Sequence, residues 1–221
     1  MRIGDQLYLY LWNNAQDMNC NSVVVDGKVP LLIDPGWPHH VESLFARMRE
    51  DGLDPAKIKV VLCTHGHPDH FGGALAFKNS SVRIALSRPE EKFIEETGRE
   101  AYKSQGLPFP EYRVDFHLKN GDLVLGKHEL KIFLTPGHSP GSICIYWPRH
   151  KVLISGDLVF LNSVGRTDLP GGNAKQLLSS IEEVSGLPIE LLIPGHGPVI
   201  QGQHNVRRNF ELIKRAFFGL A

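Results

Sequence analysis

The chain has 221 residues, 42% of them hydrophobic and 22% charged, which is ordinary for a globular protein with a substantial core. Lys+Arg and Asp+Glu each number 24, so the formal net charge is zero. That balance argues against nucleic acid or a membrane surface as an electrostatic partner and leaves a small molecule as the expected one.

Taken in order, Leu7–Trp12 reads as a strand, and Ser22–Val25 and Leu31–Ile33 as a hairpin about Asp26-Gly27. Val41, Leu44, Phe45 and Met48 form one helical stripe, and Gly52 ends that helix. Lys57–Cys63 is the next strand, then Val82–Leu86, then a polar helix from Pro89 to Lys103. Residues 105–113, with Gly106, Pro108 and Pro110, read as a loop. Strands are expected at Asp122–Leu125, Leu130–Leu134, Ser142–Trp147 and Val152–Ile154. Residues 160–173 read as a long loop, of a length that is usually functional or disordered. Asn173 and Gln176 resemble a capping box for a helix with Leu177, Leu178, Ile181 and Val184 on its stripe. Leu191–Ile193 is a buried strand, and a last helix runs from Asn205 to Phe218 with Val206, Phe210, Ile213 and Phe217 on one face.

No linker, repeat array or low-complexity tract interrupts this series, so residues 1–221 are expected to form one domain. Cys20, Cys63 and Cys144 are too few, and odd in number, for a disulfide framework, and fit a reducing compartment. The first residues lack a signal-peptide pattern and no apolar run reaches membrane-spanning length, so a cytoplasmic location is expected.

The chemistry concentrates in Thr64-His65-Gly66-His67-Pro68-Asp69-His70, directly after Val60-Val61-Leu62. Imidazole and carboxylate are ligands for zinc, iron(II) or manganese. A regular helix would scatter positions 65, 67, 69 and 70 around its circumference, so the motif is expected to be a strand-end loop. Three more apolar strands stop at a candidate ligand with glycine nearby: His138, Asp157 and His196. Strand ends along one sheet edge are where open α/β folds gather ligands. His65, His67, Asp69, His70, His138, Asp157 and His196 are then seven donors, too many for one ion. They suit two divalent ions with Asp157 bridging, sharing a water whose pKa falls toward neutrality and whose hydroxide attacks an acyl carbonyl. Zinc is the expected metal, with iron or manganese as alternatives, and Asp69 and Asp157 are the expected catalytic carboxylates.

His65-x-His67-x-Asp69-His70, followed in order by His138, Asp157 and His196, resembles the metallo-β-lactamase superfamily over nearly the whole chain. The resemblance implies an α/β fold, a four-layer αββα sandwich with metals at one edge. It also implies one site from His65, His67 and His138, a second from Asp69, His70 and His196, and Asp157 between them. Asp34 matches an acidic position of the family that supports ligands rather than binding metal. The β-lactamases with the two best-known zinc sites carry cysteine where Asp157 stands, so the resemblance points away from antibiotic hydrolysis.

Val164–Gly172 resembles a segment of small glyoxalase II-like hydrolases, which cleave the thioester of hydroxyacylglutathione, and of persulfide dioxygenases. The dioxygenases use one iron held at positions matching His65, His138 and Asp157, so the motif alone leaves the metal count open. The implied function is metal-dependent hydrolysis of a thioester such as hydroxyacylglutathione. An iron persulfide dioxygenase is the alternative, and a lactonase or phosphodiesterase the third. Arg166 is a candidate grip for a substrate carboxylate, or else an ion-pair partner of Asp168. Full-length glyoxalase II ends in a larger helical region with basic contacts to glutathione; here only one helix follows His196.

Overall fold

A computed structural model describes residues 2–12, 17–109 and 111–219. The first sheet contains β1 (Arg2–Gly4), β2 (Leu7–Tyr10), β3 (Ser22–Val25), β4 (Leu31–Ile33), β5 (Val60–Leu62), β6 (Arg83–Ser87) and β7 (Phe116–Leu118), in that spatial order. Strands β1 to β4 pair antiparallel, and β4 to β7 pair parallel. Further along come β8 (Gly121–Leu125), β9 (His128–Leu134), β10 (Ile143–Trp147), β11 (Val152–Gly156), the small hairpin β12 (Val159–Phe160) with β13 (Ser163–Val164), β14 (Leu191–Pro194) and β15 (Ile200–Gln201). The second sheet has the order β15-β14-β11-β10-β9-β8, with β11 and β14 parallel.

Alternation along the strands explains why they read as unbroken apolar runs: both faces are covered. Val23, Val25, Leu31, Ile33, Val60 and Leu62 point between the sheets and meet Ile132, Ile143, Ile145 and Ile154 from the second. Their neighbours Val24, Leu32 and Val61 point outward onto α1 (Val41–Glu50), through Leu44 and Met48. Cys144, Leu153 and Leu192 do the same on the other side, onto Leu177, Ile181 and Val184 of α5 (Ala174–Ser185) and Val206, Phe210 and Ile213 of α6 (Gln203–Phe218). Three apolar cores between four layers are the expected αββα sandwich. The Asn173 side chain accepts from Gln176 N and caps α5, as the sequence implies.

Several elements differ from the sequence reading. The helix expected over Pro89–Lys103 is α3 (Arg88–Phe93) and α4 (Arg99–Ser104) separated by a π-helical turn, Ile94–Gly98. The strand expected over Lys57–Cys63 shortens to β5, because Pro55–Lys57 is a 3₁₀ turn capped by Asp54. The 160–173 loop begins inside the β12–β13 hairpin. Phe217, placed on the buried stripe of the last helix, is 50% exposed, and its neighbour Phe218 packs on the core instead. Pro110 lies outside the described residues. Among the described residues no helix is long and apolar enough to cross a membrane.

Ile145 is buried between the sheets, well inside β10. Ile145→Ala is expected to lower unfolding stability by about 2–5 kcal/mol in denaturant titration, through lost burial and the cavity left behind.

Candidate metal centre

Chain direction brings one set of strand ends to one edge. Parallel β4 and β5 end side by side, at Asp34 and at the His65 motif. Parallel β11 and β14 end side by side, before Asp157 and His196. The start of β10, antiparallel to β11, adds the turn that carries His138. Backbone bonds fasten the two edges together: Ile143 N donates to Thr64 O at 2.9 Å, and Asn21 N to Gly195 O at 2.6 Å. The Asn21 amide also donates to Pro194 O and Gly197 O.

The motif after β5 is only half a loop. His65 and His67 lie on irregular backbone, but Pro68–Phe71 forms one helical turn (α2), with Pro68 in its first turn. Asp69 and His70 are adjacent on that turn and stay within reach of one centre. Here the expectation of a loop throughout is corrected, because proline at a helix start is pre-organised rather than disruptive.

All seven expected donors converge. His67 Nδ1 lies 3.0 Å from His65 Nε2 and 2.9 Å from His138 Nε2. His196 Nε2 lies 3.3 Å from His70 Nε2 and 3.1 Å from Asp69 Oδ2. Asp157 stands between the groups, with Oδ1 3.2 Å from His70 Nε2 and Oδ2 3.5 Å from both His138 Nε2 and His196 Nε2. Donor atoms of a four-coordinate zinc ion, at about 2.0–2.1 Å from it, stand roughly 3.3 Å apart. His65, His67 and His138, and separately Asp69, His70 and His196, therefore have the spacing of metal ligands.

Hydrogen bonds on the far side of the rings fix which nitrogen of each turns inward. His138 Nδ1 donates to Arg166 O at 2.8 Å, and His196 Nδ1 to Asn19 O at 3.2 Å. His70 Nδ1 donates to Asp34 Oδ2 at 2.9 Å. Thr64 Oγ1 donates to the same carboxylate at 2.7 Å, so it accepts from His65 Nδ1 at 3.1 Å. Four Nε2 lone pairs are thereby aimed inward. The buried Oδ1 of Asp157 has no well-aligned hydrogen-bond donor. Lone pairs and carboxylates crowded together in a buried site repel one another unless cations lie between them, so this donor set fits divalent metal.

Without a metal, charge balance falls to the histidines. Burial pushes His70 down, but Asp157, Asp34 and Asp69 outweigh it and hold it well above the usual histidine range. His196 is raised likewise by Asp157 and Asp69 against burial. Burial, with His138 next to it, takes His67 down to about 4, and His65 falls well below its ordinary value by burial beside His70 and His67. Asp157 is driven well below the carboxylate range by His70 and His196, which overcome its burial.

The second tier of contacts was only partly foreseen. Asp34 sits at φ +50°, an uncommon conformation for a non-glycine residue, and its carboxylate takes Thr64 N, Thr64 Oγ1 and His70 Nδ1. Glu90 was not anticipated. Its buried carboxylate accepts from Gly66 N, Ser139 Oγ and Gly141 N at 2.7–2.9 Å, tying the His65–His67 loop to the His138 loop. Burial nevertheless lifts it above the ordinary glutamate value. Nothing in Pro89-Glu90-Glu91-Lys92 separates that carboxylate from its solvated neighbour Glu91. Gly195 leaves the space that Asp157 and His70 occupy: a Cβ there would overlap Asp157 Oδ1. Arg166 is exposed and forms a bidentate pair with Asp168 at 2.9 and 2.7 Å, while its carbonyl orients His138.

The cluster floors a cleft of about 1000 Å³. A two-sheet sandwich with a histidine–aspartate cluster on its joined edges defines a metallo-hydrolase class, and the comparisons agree. Residues 15–196 match the metallo-beta-lactamase superfamily. The hydroxyacylglutathione hydrolase GloC of Haemophilus influenzae is 36% identical, over 83% of this chain and 87% of that protein. The acyl-coenzyme A thioesterase MBLAC2 of Gallus gallus is 29% identical over 84% of this chain and 75% of its own length. Among solved structures, the BLEG-1 B3 metallo-beta-lactamase superposes with TM-score 0.78 at 30% identity, covering 93% of this chain and 99% of that one. The di-iron-bound form of TTHA1623 gives 0.72 at 33% identity, covering 91% and 95%. The chain belongs to the metallo-beta-lactamase superfamily.

Two outcomes follow for metal uptake. Asp34→Ala frees His70 and Thr64, and is expected to weaken metal affinity roughly 10–100-fold by competition with a chromogenic chelator. Because the raised pKa values of His70 and His196 mean that metal must displace protons, zinc addition to metal-free protein at neutral pH should release about one or two protons per chain in an unbuffered titration. Apparent affinity should accordingly rise with pH through neutrality and fall on acidification.

Proposed function

We propose that the protein hydrolyses thioesters at a pair of divalent ions, with zinc as the working metal. His65, His67 and His138 would hold one ion and Asp69, His70 and His196 the other, with Asp157 facing both. The observation that carries this reading is the inward aim of four Nε2 atoms, each set by a hydrogen bond at its Nδ1, and two carboxylates at the floor of an open cleft. When bound, such ions lower the pKa of water toward neutrality and polarise a carbonyl.

The chain's own groups do the rest. Asp157 faces both triads and keeps their spacing. Asp69, partly exposed beside His196, is placed to accept the proton of the attacking water and pass it to the leaving thiolate. His196 stands at the cleft side of the cluster, 32% exposed, and the ring of Phe160 lies 6.1 Å from its own. The relatives named for thioester hydrolysis, GloC and MBLAC2, support the choice of bond, and hydroxyacylglutathione is the representative substrate.

Purified protein should release free thiol from S-lactoylglutathione or from simple acyl thioesters, lose that activity on chelation, and regain it with zinc. Asp157→Ala should lose both ions by elemental analysis together with at least about 100-fold in kcat/KM. His196→Ala should lose one ion and keep the other; retained catalysis there would rule out the two-ion scheme. Oxygen consumption with a glutathione persulfide and one iron per chain would replace hydrolysis by the dioxygenase reading.

A further inference from the structure

The cleft over the cluster has two chemically different banks. On one, Trp12, Met18 and Trp37 form an apolar surface next to the His196 side of the site. This bank is built, not incidental. Trp37 N donates to Asn19 Oδ1 at 2.8 Å, Trp37 Nε1 donates to Met18 O at 3.1 Å, and Asn19 O is the group that orients His196. Met18 is held at φ +44°, a conformation that an unbranched non-glycine residue rarely adopts, and its side chain is 65% exposed at the cleft. A large hydrophobe displayed on strained backbone, at a ligand site, is a sign of a contact that forms with a ligand.

The other bank is polar. Thr97, Glu100, Ser104 and Gln105 face the cleft from the broken helix, and Arg166 joins them from the later loop. Thr97, Glu100 and Ser104 are spaced i, i+3 and i+7, so they share one face of the helical segment that runs on from the π turn. Outside the metal cluster, the formal charges lining the cleft are those of Glu100 and Arg166, and Arg166 already spends its fork on Asp168. Thr97 Oγ1 donates to Phe93 O and keeps its lone pairs, so this bank offers the Gln105 amide and the Thr97 oxygen, between apolar Phe93, Leu169 and Pro170, without an excess of positive charge.

A thioester has two arms that diverge from the carbonyl carbon. Biological thiols carry amides along the thiol arm, and amides need hydrogen-bond partners when they leave water. The polar bank supplies such partners; on the tryptophan–methionine bank the Trp12 Nε1 and Asn19 Nδ2 donors are buried beneath the surface, so that bank gains free energy chiefly by covering apolar area. We propose that the thiol arm lies along the polar bank, and that the apolar bank of Trp12, Met18 and Trp37 seats an alkyl or aryl acyl arm. Acyl thioesters with an extended apolar acyl group are then the preferred substrate class. This inference rests on the thioesterase reading above and narrows it.

Two ligand series separate the inference from that reading. The first is non-hydrolysable: S-(2-oxoalkyl) ketone analogues of acyl-N-acetylcysteamine thioesters, two to eight carbons in the acyl-equivalent arm, with binding read from tryptophan fluorescence of the zinc-loaded protein. Kd is expected to fall roughly two- to fourfold per added methylene. The same methylenes added on the amide end of the thiol arm should change Kd less than about twofold in total. Met18→Ser, at an exposed position, should flatten the acyl-arm slope, so that the octanoyl-to-acetyl affinity ratio drops about tenfold or more. A flat acyl series, a slope on the thiol arm instead, or an unchanged slope in Met18→Ser overturns the proposal. The second series is the matching set of thioesters. Absence of turnover there, with the binding slope intact, removes the thioesterase reading and leaves the apolar seat standing.

Discussion

One carboxylate, that of Asp34, settles how the edge of the first sheet can serve as a binding site. It lies at the end of β4, is buried, and accepts three hydrogen bonds from the segment that follows β5: two from Thr64 and one from His70 on the helical turn. Through Thr64 it also sets the ring of His65. Its backbone pays for this with a left-handed conformation, compensated in part by Ser22 Oγ and the Cys20 thiol donating to the Asp34 carbonyl. Two imidazoles from different parts of the motif thus take their tautomer from one acid. Without it, neither ring would be held with its Nε2 turned to the cluster.

On the other side of the cluster the same principle is repeated with carbonyls. Arg166 O and Asn19 O orient His138 and His196. Glu90 then binds two loops that approach from different sheets. The donor set is pre-organised by neutral and anionic acceptors behind it, so little rearrangement is needed when a cation arrives. The cost is a cluster of buried polar groups whose charges are unbalanced in the absence of metal, visible in the opposite pulls on His67 and His70.

Much of this was legible in the sequence because each candidate ligand follows a strand whose apolar run is easy to see. His65, Asp157 and His196 stand just beyond Leu62, Gly156 and Pro194, and parallel neighbours must end on the same side. The four layers follow from runs that are apolar on both faces and helices that carry a single stripe. Less legible were features that depend on contacts distant in the chain. The edge strands β1 and β7 are three residues each and have little pattern of their own. The π turn in the 88–104 helix has no marker beyond Gly98, which packs against Ile94. Phe217 fits a helical stripe, but adjacent Phe218 is the aromatic that packs on the core, and spacing alone does not choose between two neighbouring phenylalanines. Glu90 looks like any helix-start glutamate until Gly66 and Gly141 are brought to it.

The order of the strands has a further meaning. Everything in the first sheet comes from residues up to Leu118, and everything in the second from Gly121 onward. The architecture is two consecutive halves of the chain laid face to face, with Lys119-Asn120 the covalent passage from the first sheet to the second. His65, His67, Asp69 and His70 belong to one half, and His138, Asp157 and His196 to the other, so each prospective ion draws on both. A bound cation would then act as a rivet across a seam, and opening that seam would empty the centre before either half had to unravel.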